Sequence, residues 1–407
     1  MSAMSLTCDP VEVGFDPARL ARIDGYFAKG VEDGRWPGWL ILISRRGEIA
    51  HLSACGHRDV AAGLPVEPDT LFRIYSMSKP VTSVALMTLY EEGRLLLTDP
   101  VAMYLPEFAD MRVYQGGPAA APATRPAAEP IRVWHLLTHT AGLTYEFYHE
   151  SVVDEMYRAA GLDGPYPAGL DLAECVRRWA GLPLLFEPGS RWNYSVATDV
   201  LGRLIEVISG MPLDRFLAER IFAPLGMRDS GFEPVDPTRM ATLYGQARDG
   251  QMVPIPPPPA RPALLSGGHG LISTAADYHR FTQMLLRGGE FEGARVLGSR
   301  TVEYMTRNHL PGGADLEEFG RPIFSEISNS GVGFGLGFAV VQDAVKQKSL
   351  ASDGEYNWGG AASTMFWVDP AEDLTVIFLS QIIPSTVRPV LGQLRQLVYQ
   401  ALVDPPR

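Results

Sequence analysis

Apolar positions recur at helical spacing across residues 17–32, where Leu20, Ile23, Tyr26 and Phe27 share one face, which predicts an amphipathic helix. Two short apolar runs follow at 39–44 and 48–54, and Arg45-Arg46-Gly47 between them reads as a tight hairpin connection. From 76 to 95 the pattern is helical and apolar nearly all round, through Val81, Val84, Ala85, Leu86 and Leu89. A helix of that kind belongs at the centre of a molecule. Further helices are predicted at 171–180, 198–209, 213–222 and 275–287. Two stretches, 116–130 and 254–262, carry too many prolines for a helix or a central strand and read as loops. Strand patterns return at 335–342, 362–368 and 374–380, with a turn at 369–373, and a final helix is predicted at 389–402.

Strands near both ends and helices between them predict an α+β fold. Its antiparallel sheet is formed from both termini and flanked by helices, with a mainly helical subdomain inserted. The expected division is 15–75 with 325–407 for the sheet subdomain and 76–324 for the insertion. No internal repeat at 20–50 residues is visible.

Composition narrows the function only a little. Apolar residues make up 46% and charged residues 20% of 407, which is ordinary for a globular chain. A net charge of −12 argues against nucleic acid or an anionic membrane as partner, since both attract basic surfaces. Cys8, Cys55 and Cys175 form no C-x-x-C pair and read as thiols in a reducing compartment. Residues 1–17 lack the basic start and apolar core of an export signal, and no run of about 18 apolar residues occurs. Cytoplasmic location is therefore expected.

The chain carries four lysines against thirty-one arginines. A guanidinium keeps its proton, whereas a buried ammonium can be brought to the point of releasing one. One lysine, Lys79, stands three residues after Ser76 in Ser76-Met77-Ser78-Lys79, at the start of the buried helix. Residues i and i+3 share a helix face, so Lys79 is within reach of the Ser76 hydroxyl. The helix N-terminus adds partial positive charge beside it. Ser76 as a plain N-cap is the alternative. Tyr194 follows a glycine-containing turn and precedes the helix start Thr198-Asp199, a place from which it projects into a cleft or simply packs. Asn357-Trp358-Gly359-Gly360-Ala361 leads into a strand; its paired glycines permit close backbone approach, or mark a bulge.

Ser76-x-x-Lys79, Tyr194-Ser195 and Trp358-Gly359-Gly360, in that order, resemble the three motifs of the class C β-lactamase-like serine hydrolases, most closely the family VIII carboxylesterases. The segments at 135–143, 186–189 and 333–338 agree with that family, and the similarity runs from about 15 to 400. The resemblance implies Ser76 as the acylated nucleophile and Lys79 as the group that removes and stores its proton. Tyr194 is implied as general base and then acid, and the backbone N–H groups of Ser76 and Ala361 as the oxyanion hole. Trp358, Gly359 and Gly360 fall to substrate binding. No cofactor or metal is implied, and the expected partner is a small-molecule ester.

Two departures from the lactamase pattern bear on specificity. Val196 stands where Tyr-x-Asn has its amide, and Trp358 where Lys-Thr-Gly has its cation. A neutral, short-chain acyl ester is therefore expected. An acyltransferase on the same scaffold, a β-lactamase or D-amino-peptidase, and a non-catalytic binding protein are the alternatives. Product analysis with added alcohols, nitrocefin turnover and fluorophosphonate labelling separate them. His135 and His139 lack the acidic companion of H-E-x-x-H and read as structural. No G-x-S-x-G elbow occurs, and 333–337 lacks dinucleotide-binding spacing. Ser78 reads as a local backbone partner.

Overall fold

The computed structural model describes residues 4–247, 250–258, 261–320, 329–385 and 390–404. Its main feature is an eight-stranded antiparallel sheet, running Val332–Phe334, Ala339–Val341, Tyr356–Gly360, Thr364–Asp369, Leu374–Ser380, Gly38–Arg45, Glu48–Asp59 and Leu64–Pro65. The strand from the start of the chain pairs with the one near its end, from Trp39 opposite Ser380 to Arg45 opposite Leu374. Both termini thus build one sheet, as the pattern predicts. The ends are stitched as well: Val403 N–H donates to Gly14 O at 3.0 Å and Asp16 N–H to Ala401 O at 2.9 Å. The hairpin turn is Arg46-Gly47, with φ of 55° and 84°, the left-handed pair that matches the twist of the flanking strands.

Side chains alternate across a strand, so each strand feeds two cores. Trp39, Ile41, Ile43, Trp367, Val376 and Phe378 face a layer made by the helices Pro17–Glu32 and Leu391–Tyr399. Leu40, Leu42, Phe366, Val368, Ile377 and Leu379 face the larger helical side. There Ala275–Leu286 lies across the sheet, and Ser78–Glu91 is buried from Ser78 through Leu89. Among the described residues no helix is long and apolar enough to cross a membrane.

Several expectations are corrected. The helix expected over 76–95 is a 3-10 turn, Tyr75–Met77, followed by the α-helix Ser78–Glu91, which Gly93 stops at φ 69°. That helix has no side-chain cap, so Ser76 is not an N-cap. The helix expected over 213–222 continues through a π-turn to Leu225. The strand expected over 335–342 shrinks to Ala339–Val341, with Val332–Phe334 as its neighbour. Residues 357–360 are themselves part of a strand, Tyr356–Gly360. The supposed loop 116–130 holds Ala123–Pro126, paired with Arg112–Gly116. In 254–262, Pro254 ends a strand, and 259–260 lie outside the described residues. The final helix covers Leu391–Tyr399, and Pro389 lies outside the described residues.

Candidate active site

Ser76 sits in the 3-10 turn at the mouth of the buried helix, directly after Tyr75, whose φ of 44° marks a tight, strained bend. The helix carries Lys79 inward, to 2% exposure. Its Nζ lies 3.2 Å from Ser76 Oγ and donates to Gly268 O at 2.8 Å. It rests 4.5 Å from the centre of the Tyr194 ring and 5.5 Å from that of Tyr145. Neither hydrogen-bond partner is a carboxylate. Burial, only partly offset by the charge of Asp199, lowers the Lys79 pKa to about 7.

Tyr194 is buried at 6% exposure between Trp192, stacked at 6.2 Å, and Trp358 at 5.3 Å. Tyr148 donates to its carbonyl at 2.8 Å, and the Asn193 amide, bonded to Leu143 O at 2.9 Å, fixes the preceding residue. Burial pushes the Tyr194 pKa well above its ordinary value, although hydrogen bonding with the Ser76 and Trp358 side chains works the other way. The phenol is neutral at ordinary pH.

Across the opening, the strand Tyr356–Gly360 ends against the Ser76 turn. A Cβ on Gly360 would stand 2.4 Å from Ile74 O, so only glycine lets the two backbones approach. Thr364 Oγ1 donates to the same carbonyl at 3.3 Å. Ser76, Tyr194, Trp358, Gly359, Gly360 and Ala361 all line one cavity of about 630 Å³, and Lys79 reaches it from beneath Ser76. Val196 lines it too.

Sequence reasoning missed the floor of this cavity. Asp199 is 1% exposed; its Oδ1 accepts from the Gly268 N–H at 3.1 Å and from the Ser266 hydroxyl. It therefore orients the peptide turn whose Gly268 carbonyl receives Lys79. Ser266 Oγ also meets His269 Nδ1 at 2.8 Å, and His269 Nε2 donates to Pro165 O at 2.7 Å. An acid in the buried first turn of the helix Ala197–Ser209 was the available signal. Glu146, in the aromatic run Tyr145-Glu146-Phe147-Tyr148, was missed in the same way. Ser78, read as a local partner, instead accepts from Leu271 N–H at 3.1 Å, 193 residues away. His139 is buried 4.9 Å from the Tyr194 ring with Nδ1 3.3 Å from Ser195 Oγ, and burial drives its pKa well down. His135 Nδ1 accepts from Arg132 N–H at 3.0 Å.

A serine in a tight turn, a buried lysine against it and a facing strand edge on an α+β scaffold fit one class, the serine hydrolases of the β-lactamase/transpeptidase-like fold. The family model named Beta-lactamase matches residues 23–400. The chain belongs to that family. Protein Rv1367c of Mycobacterium tuberculosis is 36% identical over 361 residues, 86% of this chain and 87% of that protein. Esterase EstB of Burkholderia gladioli is 34% identical over 395 residues, covering 93% and 94%. The solved structure of EstCE1, a hydrolase with promiscuous acyltransferase activity, superposes with a TM-score of 0.80 at 30% identity, covering 94% of this chain and 99% of that one.

Proposed function

We propose that the protein is a carboxylesterase of the family VIII type, hydrolysing short-chain acyl esters through an acyl-enzyme on Ser76. The observation that carries this reading is the Lys79 Nζ, 3.2 Å from Ser76 Oγ and held at a pKa of about 7. Half neutral at pH 7, it accepts the Ser76 proton as Oγ attacks the ester carbonyl. The N–H groups of Ser76 and Ala361 take the developing oxyanion. Tyr194, a neutral phenol beside Ser76, serves as the acid: it gives its proton to the leaving alcohol and regains one from Lys79. This reading gives the base role expected for Tyr194 to Lys79, because a phenol whose pKa is raised stays protonated and leaves no phenolate to accept a proton. Water then repeats the attack, giving its proton back through the same pair and releasing the carboxylic acid.

Similarity to EstB and EstCE1, named as an esterase and a hydrolase, supports the ester as substrate. Trp358 and Val196 in the cavity wall support a neutral acyl group over a β-lactam, whose carboxylate would find no lysine at position 358. Leaving such groups desolvated and unmatched costs roughly 1–3 kcal/mol each. The free thiols of Cys8, Cys55 and Cys175 fit action in the cytoplasm.

The test is Ser76→Ala with intact-mass detection of the acyl adduct, alongside kcat/KM for p-nitrophenyl butyrate and nitrocefin. Expected are loss of adduct and turnover in the variant, and a much higher kcat/KM for the butyrate in the wild type. Labelling of the Ala variant by a serine-directed phosphonate, or nitrocefin turnover equal to the butyrate, would sink the reading. Acyl transfer to an alcohol is the second reading, favoured by the likeness to EstCE1. Product analysis with added butanol separates it.

A further inference from the structure

Glu146 lines the same cavity as Ser76 and has no part in the acyl-transfer steps above. It opens a short 3-10 turn, Glu146–Tyr148, and is 7% exposed. Arg158, on the helix Val152–Ala159, donates to the Glu146 main-chain carbonyl and makes no ion pair with its carboxylate among the described residues. The hydrogen bond its carboxyl receives comes from its own backbone N–H. A carboxylate nine-tenths buried beside a cavity, with the Arg158 charge near it but no direct ion pair, is costly unless something else satisfies it.

The surroundings indicate what that is. The acids of the cavity wall are Glu146, Asp163 and Asp199, and no arginine or lysine lines it among the described residues. Tyr145 and Phe147 flank Glu146 in the chain, line the cavity with it, and stack at 4.6 Å. Aromatic faces beside a carboxylate form the arrangement that receives an ammonium group. The groups facing Glu146 are Asp163 from the segment after Val152–Ala159, Asp199 from Ala197–Ser209, Arg158 and Tyr157 from Val152–Ala159, and Tyr145 and His149 from its own segment. Lys79, 5.5 Å from the Tyr145 ring centre, is mostly neutral above pH 7 and does not oppose a cation there.

We propose that Glu146, with Tyr145 and Phe147, forms a subsite for a protonated amine or quaternary ammonium group, so that the preferred esters carry a positive charge. The proposal rests on the ester-hydrolase reading and names the substrate class of that site. Burial first, then the charges of Asp163 and Asp199, raise the Glu146 pKa to about 7. The carboxyl is ionised above that pH and neutral below it, so the preference for a cation grows as pH rises through 7.

The experiment compares butyrylthiocholine with its neutral carbon isostere, S-(3,3-dimethylbutyl) thiobutyrate, on the wild type and Glu146→Gln at pH 5.5 and 8.5. Both substrates use the same Ser76 and Lys79, so the ratio of their kcat/KM values cancels the titration of the catalytic groups. The expected wild-type ratio is about ten to one for the cation at pH 8.5 and near one at pH 5.5. In Glu146→Gln it is near one at both. Equal values at pH 8.5, or a cation preference that persists in Glu146→Gln, overturn the proposal. Calorimetry with tetramethylammonium on the wild-type protein serves as the arm that needs no turnover and no variant. Binding at pH 8.5 that weakens at pH 5.5 supports the subsite, and absence of binding at pH 8.5 overturns it. If that binding is seen while neither thioester nor p-nitrophenyl butyrate is hydrolysed, the subsite stands and the hydrolase reading falls.

Discussion

Arg395 and Lys79 are both buried cations, at 1% and 2% exposure, and the sheet separates them. On the side of the terminal helices, Arg395 is matched. Its Nε donates to Glu355 Oε2 at 3.2 Å, its second amino group donates to Oε1, and its guanidinium packs 5.8 Å from the Trp367 ring. Tyr399 adds a hydrogen bond to Glu355 at 3.0 Å. On the cleft side, Lys79 donates to a hydroxyl and a carbonyl, and the charge of Asp199 acts on it without a direct ion pair. One region pairs its cation directly with a carboxylate and joins the helix Leu391–Tyr399 to the sheet, although Arg395 Nη1 is left without a hydrogen-bond partner among the described residues. The other holds its cation without a direct ion pair, and burial brings the pKa of the ammonium down to about 7.

That contrast sets opposite signs for removing the two cations. Arg395→Ala strands the fully buried Glu355 and is expected to cost about 3–5 kcal/mol in urea unfolding, the largest effect here. Lys79→Met, which removes an unmatched charge, is expected to leave stability unchanged or to raise it by up to about 1 kcal/mol while abolishing turnover. Equal destabilisation by both variants would break the comparison. Lys79→Arg keeps the charge and forfeits the removable proton, so kcat should fall more than tenfold, about 1.4 kcal/mol in the barrier. Retention of more than a tenth of the wild-type rate would reduce Lys79 to an electrostatic support.

The smallest effect concerns pH. A base with a pKa lowered to about 7 is active when neutral, so kcat/KM for a neutral ester should fall as pH drops below about 7. Asp199 stabilises the protonated form of Lys79; Asp199→Asn should therefore move that acid limb to lower pH, by less than about one unit. A merely structural role for Asp199 would lower the rate without moving the limb.

The sheet and the buried helix were legible because their information is local. Leu40 and Ile41, or Phe366 and Trp367, belong to alternating faces wherever the strand goes, and a run from Val81 to Leu89 without a polar face has nowhere to lie but inside. The Ser76, Lys79 and Tyr194 cluster was legible through spacing and resemblance. The residues beneath it were not. Ser78 meets Leu271 and Lys79 meets Gly268 across about 190 residues of chain, and no periodicity records such a pairing. Strands as short as Val332–Phe334 and Ala339–Val341 are set by their neighbours in the sheet, while the glycines at 333, 335 and 337 weaken any local signal.

The wall opposite Ser76 comes from the strand Tyr356–Gly360, and the strand Gly38–Arg45 waits for Leu374–Ser380 to cover its open edge. During synthesis a chain of 300 residues already carries its serine and its lysine, yet lacks the strand end that faces them. Contacts this distant in sequence form late. Hydrolytic activity is thus expected only of the finished molecule, and a chain cut before the strand Tyr356–Gly360 is expected to be inert. Two separately produced pieces, split in the exposed stretch near Gly312, are in the same position: neither holds a complete cleft, and hydrolytic turnover is expected only on their reunion.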